Sequence, residues 1–222
     1  MKQRTLMGFQ GKLLLSSKIK LSISLLSAVL IPVFFRSTSL YQAEYTIDRF
    51  IAVPVIVVFA EIFALEQTNH IVETIYITKM RKNALYLARF LIATGLMMGA
   101  AVLGLLEAVL LDPNMIRGEG GSIGALLPAL YAWFSTIFFF GAFAMTMTAL
   151  TGKYAVGAAV PILFYVVLYF VDYFLTNRIT SLFIYRSQPI WPWSKLFYLG
   201  IGFVLFALCI LKAGDFLRCE RA

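Results

Sequence analysis

Charge-free runs alternate with short polar segments along this chain, and the runs have the length of membrane crossings. They cover residues 21–35, 50–60 (continuing past Glu61 to Leu65), 90–106 with an apolar approach from Ala84, 120–152, 154–171 and 196–211. A helix crosses about 30 Å of hydrocarbon with roughly 20 residues, and flanking lysines that snorkel extend a shorter run. Lys18, Lys20, Lys195 and Lys212 stand at the ends of the first and last runs. None of the runs shows the ten-residue alternation of barrel strands. The pattern predicts an all-α membrane protein with six transmembrane helices.

Composition points the same way. The 222 residues are 61% hydrophobic and 14% charged, with a mean hydropathy of +0.85. A water-soluble domain of this size has too little polar surface to cover so much apolar material. Lys and Arg placement sets the expected orientation. With the N-terminus inside, thirteen of the 19 basic residues fall on inner segments, so both termini are expected in the cytoplasm. The net charge of +8 then reads as a topology signal facing anionic lipid, with no nucleic acid as partner. Cys209 and Cys219 lie near the inner end of the last run and are not expected to form a disulfide. The first run lacks a small-residue cleavage site and reads as a retained span.

The polar remainder is small. Residues 1–20 mix Leu6, Met7, Phe9 and Leu13 to Leu15 with Lys2, Arg4, Lys12 and Lys18. They read as an amphipathic elbow helix on the inner leaflet. Outer loops are expected at 37–48 and 112–122. The outer segment 176–194 carries Trp191, Trp193 and Tyr185 with Pro189 and Pro192, and is expected to dip back into the interface as a re-entrant piece. The inner loop 66–83 is the largest cytoplasmic feature. Within it Val72, Ile75, Tyr76 and Lys79 share one helical face. The other inner loop, 151–154, is nearly absent.

Enzyme chemistry has little support. The one histidine, His70, reads as a polar loop residue; no His/Cys cluster has metal-ligand spacing, and no Gly-x-Ser-x-Gly elbow occurs. Gly152-Lys153 fails the phosphate-loop pattern because Met147 and Tyr154 stand at its other positions. No catalytic, cofactor-binding or metal-binding residue is assigned. Three carboxylates fall within or at the ends of spans, where charge is costly: Glu61, Glu107 and Asp172. They are candidates for a polar lining of a pathway, the alternative being snorkelling or pairing with a nearby base. Phe138, Phe139, Phe140, Phe143, Phe164, Tyr165, Tyr169 and Phe170 suit a hydrophobic cargo, but most are expected to face lipid.

Around the inner loop the chain resembles a known family. Phe59-Ala-Glu61, then Phe63-Ala-Leu-Glu66, an amphipathic stretch with Glu73, basic Lys79, Arg81 and Lys82, and Arg89 at the next span look like the membrane subunit of type-2 ABC exporters. Its six-span layout, elbow helix and re-entrant outer hairpin match the expectations above along nearly the whole chain. The resemblance implies an ABC permease: a single domain, 1–222, without its own ATPase, that moves a peptide, drug or lipid. Residues 66–83 would be its coupling loop, with Glu66, Asn69, His70, Glu73, Tyr76, Lys79 and Arg81 docking on the ATPase. Implied partners are two ATPase subunits, which bind ATP and Mg, a second permease chain (a copy or a sister) and membrane lipid. The implied location is a plasma membrane, crossed many times, of the bacterial cytoplasmic kind. Competing readings are a membrane-embedded enzyme processing lipids or prenyl chains and a non-transporting immunity or sensor subunit.

Overall fold

The computed structural model describes residues 18–35, 39–68, 82–113, 126–174, 181–183 and 189–219. Among these all regular structure is helical: α1 (Lys18–Phe34), α2 (Leu40–Phe50), α3 (Ala52–Thr68), α4 (Lys82–Leu111), α5 (Leu126–Thr151), α6 (Tyr154–Phe174) and α7 (Trp191–Cys219). Four stretches are long and apolar enough to cross a membrane: Tyr86–Leu111, Leu126–Thr151, Tyr154–Val171 and Trp191–Lys212. Over its described residues the chain is all-helical, with the long apolar helices of a membrane protein. Leu21–Phe34 is apolar but shorter.

The expected outer loop at 37–48 is instead mostly helix. Ser39 takes an extended conformation (φ −135°, ψ 157°) and its hydroxyl accepts from the Gln42 backbone N–H at 3.1 Å. This Ser-x-x-Gln spacing starts helices by satisfying donors that have no partner within the first turn. One face of α2, with Ala43, Glu44, Ile47 and Asp48, is then buried. At its end Ile51 keeps helical angles; Ile51 N–H donates to the Ile47 carbonyl at 2.9 Å and Val55 N–H to the Ile51 carbonyl at 3.2 Å. Pro54 lacks the N–H that would serve the Phe50 carbonyl, so α2 and α3 form one rod with a break.

Two further boundaries move. α7 begins at Trp191, so 191–194 is its first turn and not part of a separate outer piece, and Lys195 lies inside the helix. α3 runs to Thr68 and α4 starts at Lys82, which leaves 69–81 between them outside the described residues. The expected elbow, 1–20, is described only from Lys18, and of 176–190 only 181–183 and 189–190 are described.

The rods alternate in direction. α5 and α6 are joined by Gly152 and Lys153 alone, with Gly152 at φ 68°, a left-handed conformation that glycine adopts without steric cost. This turn marks one end of the bundle; the start of α7 marks the other. α3 ends, α4 begins and α1 begins at the Gly152 end, as the contacts of Ala60 with Thr148, Ile62 with Arg89 and Val29 with Gly104 require.

α5 is the centre. It carries no charge, has no polar face turned to solvent and is largely buried, packed against α3, α4, α6 and α7. Aromatic rings fill the layer around it. Phe90 of α4 meets Phe59 at 5.0 Å, Phe138 at 5.1 Å and Phe206 at 4.5 Å between centroids, tying four helices together. Phe138, Phe139, Phe140 and Tyr165 are therefore core residues, contrary to the expectation that most such rings face outward; Phe164 and Phe170 are exposed. α1 packs mainly on α4 across small residues. A Cβ on Gly104 would stand 2.7 Å from the Val29 carbonyl oxygen, so only glycine permits that approach.

Candidate functional site

Polar side chains on a helix buried in apolar surroundings must find partners, because no water is there to take them. On α5 they form two stripes, one facing α7 and one facing α2 and α3. Toward α7, Tyr131 Oη donates to the Pro192 carbonyl at 2.9 Å, Ser135 Oγ to the Lys195 carbonyl at 2.7 Å and Thr146 Oγ1 to the Leu205 carbonyl at 2.8 Å. Toward α2 and α3, Trp133 Nε1 donates to the Glu44 carbonyl at 3.0 Å and Thr148 Oγ1 to the Ala60 carbonyl at 3.2 Å.

The two stripes meet at Thr136. Lys195 Nζ of α7 lies 2.5 Å from Asp48 Oδ2 of α2. Thr136 Oγ1 donates to Asp48 Oδ1 at 2.7 Å and accepts from Lys195 Nζ at 2.9 Å. Both charged side chains are shut off from the surface, at 0% and 1% exposure. Lys195 does not snorkel from a helix end as expected; its charge is held inside the bundle by a carboxylate from a helix not expected to exist. Beside it Ser194 Oγ donates to the Ser181 carbonyl, fastening the segment 181–183 to the first turn of α7.

This arrangement is a clamp. The pair is neutral as a whole, yet separating its members would leave two charges in an apolar interior, which costs several kcal/mol per ion. α2, α5 and α7 therefore move together at this end. α1 against α4, joined by small residues and close backbone contact, lacks such a bond across its described interface.

The expected site residues fare differently. Asn69, His70, Glu73, Tyr76, Lys79 and Arg81 lie outside the described residues, and Glu66 is placed only by its backbone, in the last turns of α3. Glu61 is half-buried in α3. Next to it the Ile62 carbonyl accepts from Arg89 Nη1 at 3.4 Å, and Arg89 itself is buried. Glu107 is half-buried in α4, with Oε2 enclosed and without a hydrogen bond. Roughly 27 Å along α4 at 1.5 Å per residue separates Arg89 from Glu107. Glu61 and Glu107 thus sit at opposite ends of the bundle and share no site. Asp172 belongs to α6 by its backbone, near the end that holds the clamp; its side chain is not described.

Sequence reasoning missed Asp48, Thr136 and Lys195. A signal was present: opposite charges flank two apolar runs on the same expected side, and Tyr131, Ser135 and Thr146 recur at near-whole helical turns through a charge-free run. Compared with protein-family models, with curated proteins and with solved structures, the chain matches none.

Proposed function

We propose that this chain is the permease subunit of an ATP-driven exporter of the type-2 ABC class. It would cross the bacterial cytoplasmic membrane six times, with both termini, the elbow helix 1–20 and the coupling segment 66–83 inside. Three features support this reading. The rods alternate in direction, and the start of α1 and the end of α7 lie on the same side as the end of α3 and the start of α4. The central helix carries no charge and is largely buried, as a central span should be. The feature that carries the reading is the link between Arg89 and Ile62, because it joins α4 to α3 within two turns of the connecting chain.

A push on that connection by an ATPase subunit would be delivered to both helices together. α3 lies directly on α5 through Ala60 and Thr148, so the force reaches the centre of the bundle. At the far end the Asp48–Lys195 pair keeps α2, α5 and α7 as one body. The motion would then fall on weaker boundaries such as α1–α4, opening a path for an amphipathic cargo between two permease chains. ATP and Mg would be bound by the partner subunits, and this chain would supply the differential grip on cargo.

The test is affinity purification of the full chain from its own membranes, followed by ATPase assay. A Walker-motif subunit should co-purify, and Glu66→Lys with Glu73→Lys should reduce its recovery at least several-fold. Absence of any ATPase, or full recovery with the reversed charges, refutes the proposal. Labelling of single cysteines at 69–82 from outside the cell would refute it independently.

A further inference from the structure

A second cation at the clamp end is not neutralised by Asp48. Arg49 follows Asp48 in α2, and one residue turns the helix by about 100°, so it leaves toward α6. Its Nη1 donates to Tyr45 Oη, one turn earlier, at 2.8 Å. The guanidinium carbon stands 3.8 Å from the ring centroid of Tyr169 in α6 and 5.6 Å from that of Tyr45. The ring faces attract the charge but give Nε no ordinary acceptor, and Nε is enclosed without a hydrogen-bond partner. Among the described residues no carboxylate pairs with this guanidinium.

Tyr165 shows the same deficit from the other side. It lies one turn before Tyr169 and is 7% exposed, and its Oη is enclosed without a partner. Its ring meets those of Tyr169 at 6.3 Å and Phe183 at 5.6 Å. Two enclosed donors, Arg49 Nε–H and Tyr165 O–H, thus flank one aromatic ring, with a positive charge between α2 and α6. Buried donors without acceptors are costly and rare in native proteins. A compact anion with several acceptor oxygens would supply the acceptors such donors lack, and guanidinium matches phosphate in shape as well as charge.

The apolar surroundings say what else such an anion carries. A chain of ring contacts runs from Phe34 through Phe35 and Phe50 to Tyr169 and Phe170, with Phe35 stacked on Phe50 at 4.1 Å. Phe34 and Phe170, at its two ends, face outward at 79% and 61% exposure. We propose that Arg49 and Tyr165 form a binding site for the phosphate group of an amphipathic molecule whose hydrocarbon part lies along the exposed Phe34 or Phe170 surface. The site rests on this chain alone and needs no ATPase, so its test is separate from that of the exporter reading.

The experiment uses the full chain, delipidated in a non-ionic detergent, with ligand retention read by native mass spectrometry and melting read by fluorescence. Dioleoyl phosphatidylglycerol should be retained and should raise the melting temperature; dioleoylglycerol, which has the same chains without phosphate, should do neither. Arg49→Gln should weaken retention about tenfold, the size of one charge-assisted hydrogen bond. Tyr165→Phe removes only the unpartnered hydroxyl; it should weaken retention several-fold while leaving the lipid-free protein at least as stable as wild type, and it decides the matter if Arg49→Gln does not fold. Protection by the lipid and not by inorganic phosphate supports an amphipathic ligand; protection by inorganic phosphate and not by the lipid would leave the hydrocarbon part no role and overturns the proposal. Equal retention of dioleoylglycerol, or wild-type retention in Tyr165→Phe, overturns the proposal. So does a several-fold rise in retention with Asp172→Asn, which would make Asp172 the counter-ion of Arg49.

Discussion

Replacing Lys195 by Met tests whether the clamp is a desolvated ion pair or a superficial one. Methionine keeps the length and most of the apolar stem but removes the charge, leaving Asp48 at 1% exposure with only the Thr136 hydroxyl 2.7 Å away. Removing one member of a buried pair costs about 3–5 kcal/mol, because the other charge stays uncompensated. For a chain of this size, 1 kcal/mol corresponds to roughly 2–4 °C in melting temperature, so a fall of about 6–20 °C is expected. Removing both charges should reverse most of the loss. Lys195→Met with Asp48→Leu leaves an apolar contact, and such replacements are often neutral or stabilising by about 1–4 kcal/mol. Thr136→Val alone deletes one hydrogen bond and should cost about 1 kcal/mol, within the range found for single interhelical hydrogen bonds in membranes. The assay is thermal unfolding in detergent, checked by the fraction still monodisperse after heating. A loss under about 1 kcal/mol for Lys195→Met, or a double variant no more stable than the worse single one, would refute the reasoning from burial.

Two glycine contacts give sharper steric tests. Gly104→Ala places a methyl 2.7 Å from the Val29 carbonyl oxygen and 3.3 Å from its Cα, both backbone atoms, so α1 must move away. A loss of about 1–3 kcal/mol is expected in the same unfolding assay. Gly99→Ala in the same helix meets nothing within 4 Å and should be neutral or gain up to about 1 kcal/mol from helix propensity. Gly157→Ala would put its Cβ 1.8 Å from Thr148 Oγ1, expelling the hydroxyl from its bond to the Ala60 carbonyl. Thr148→Ala should then restore part of the stability lost in Gly157→Ala; a strictly additive pair would contradict the contact.

What could be read in advance divides by residue. The four long helices follow from unbroken apolar runs, and the tight α5–α6 turn from Gly152 between two such runs. α2 was hidden because Glu44, Asp48 and Arg49 lower its hydropathy to that of a loop, although Ser39 and Gln42 already announced a helix start. Lys195 was misjudged for a related reason. A lysine at the edge of an apolar run looks the same whether it reaches for the interface or for a carboxylate on another helix. Aromatic residues behaved likewise: Phe140 and Phe170 are equally apolar, yet one is buried and the other exposed.

By itself the amino-acid order determined the solvent, because backbone groups in hydrocarbon must be bonded within helices and side-chain hydropathy is additive along the chain. It also determined where the chain can turn, since proline and glycine act locally. Only the packed bundle decided which charges meet. Asp48 and Lys195 are far apart in sequence, and their pairing depends on the rotation of α2, α5 and α7 about their own axes, which the contacts of all three set together. The same holds for Arg49 and the tyrosines of α6, whose shared ring contact exists only once two helices have chosen their faces.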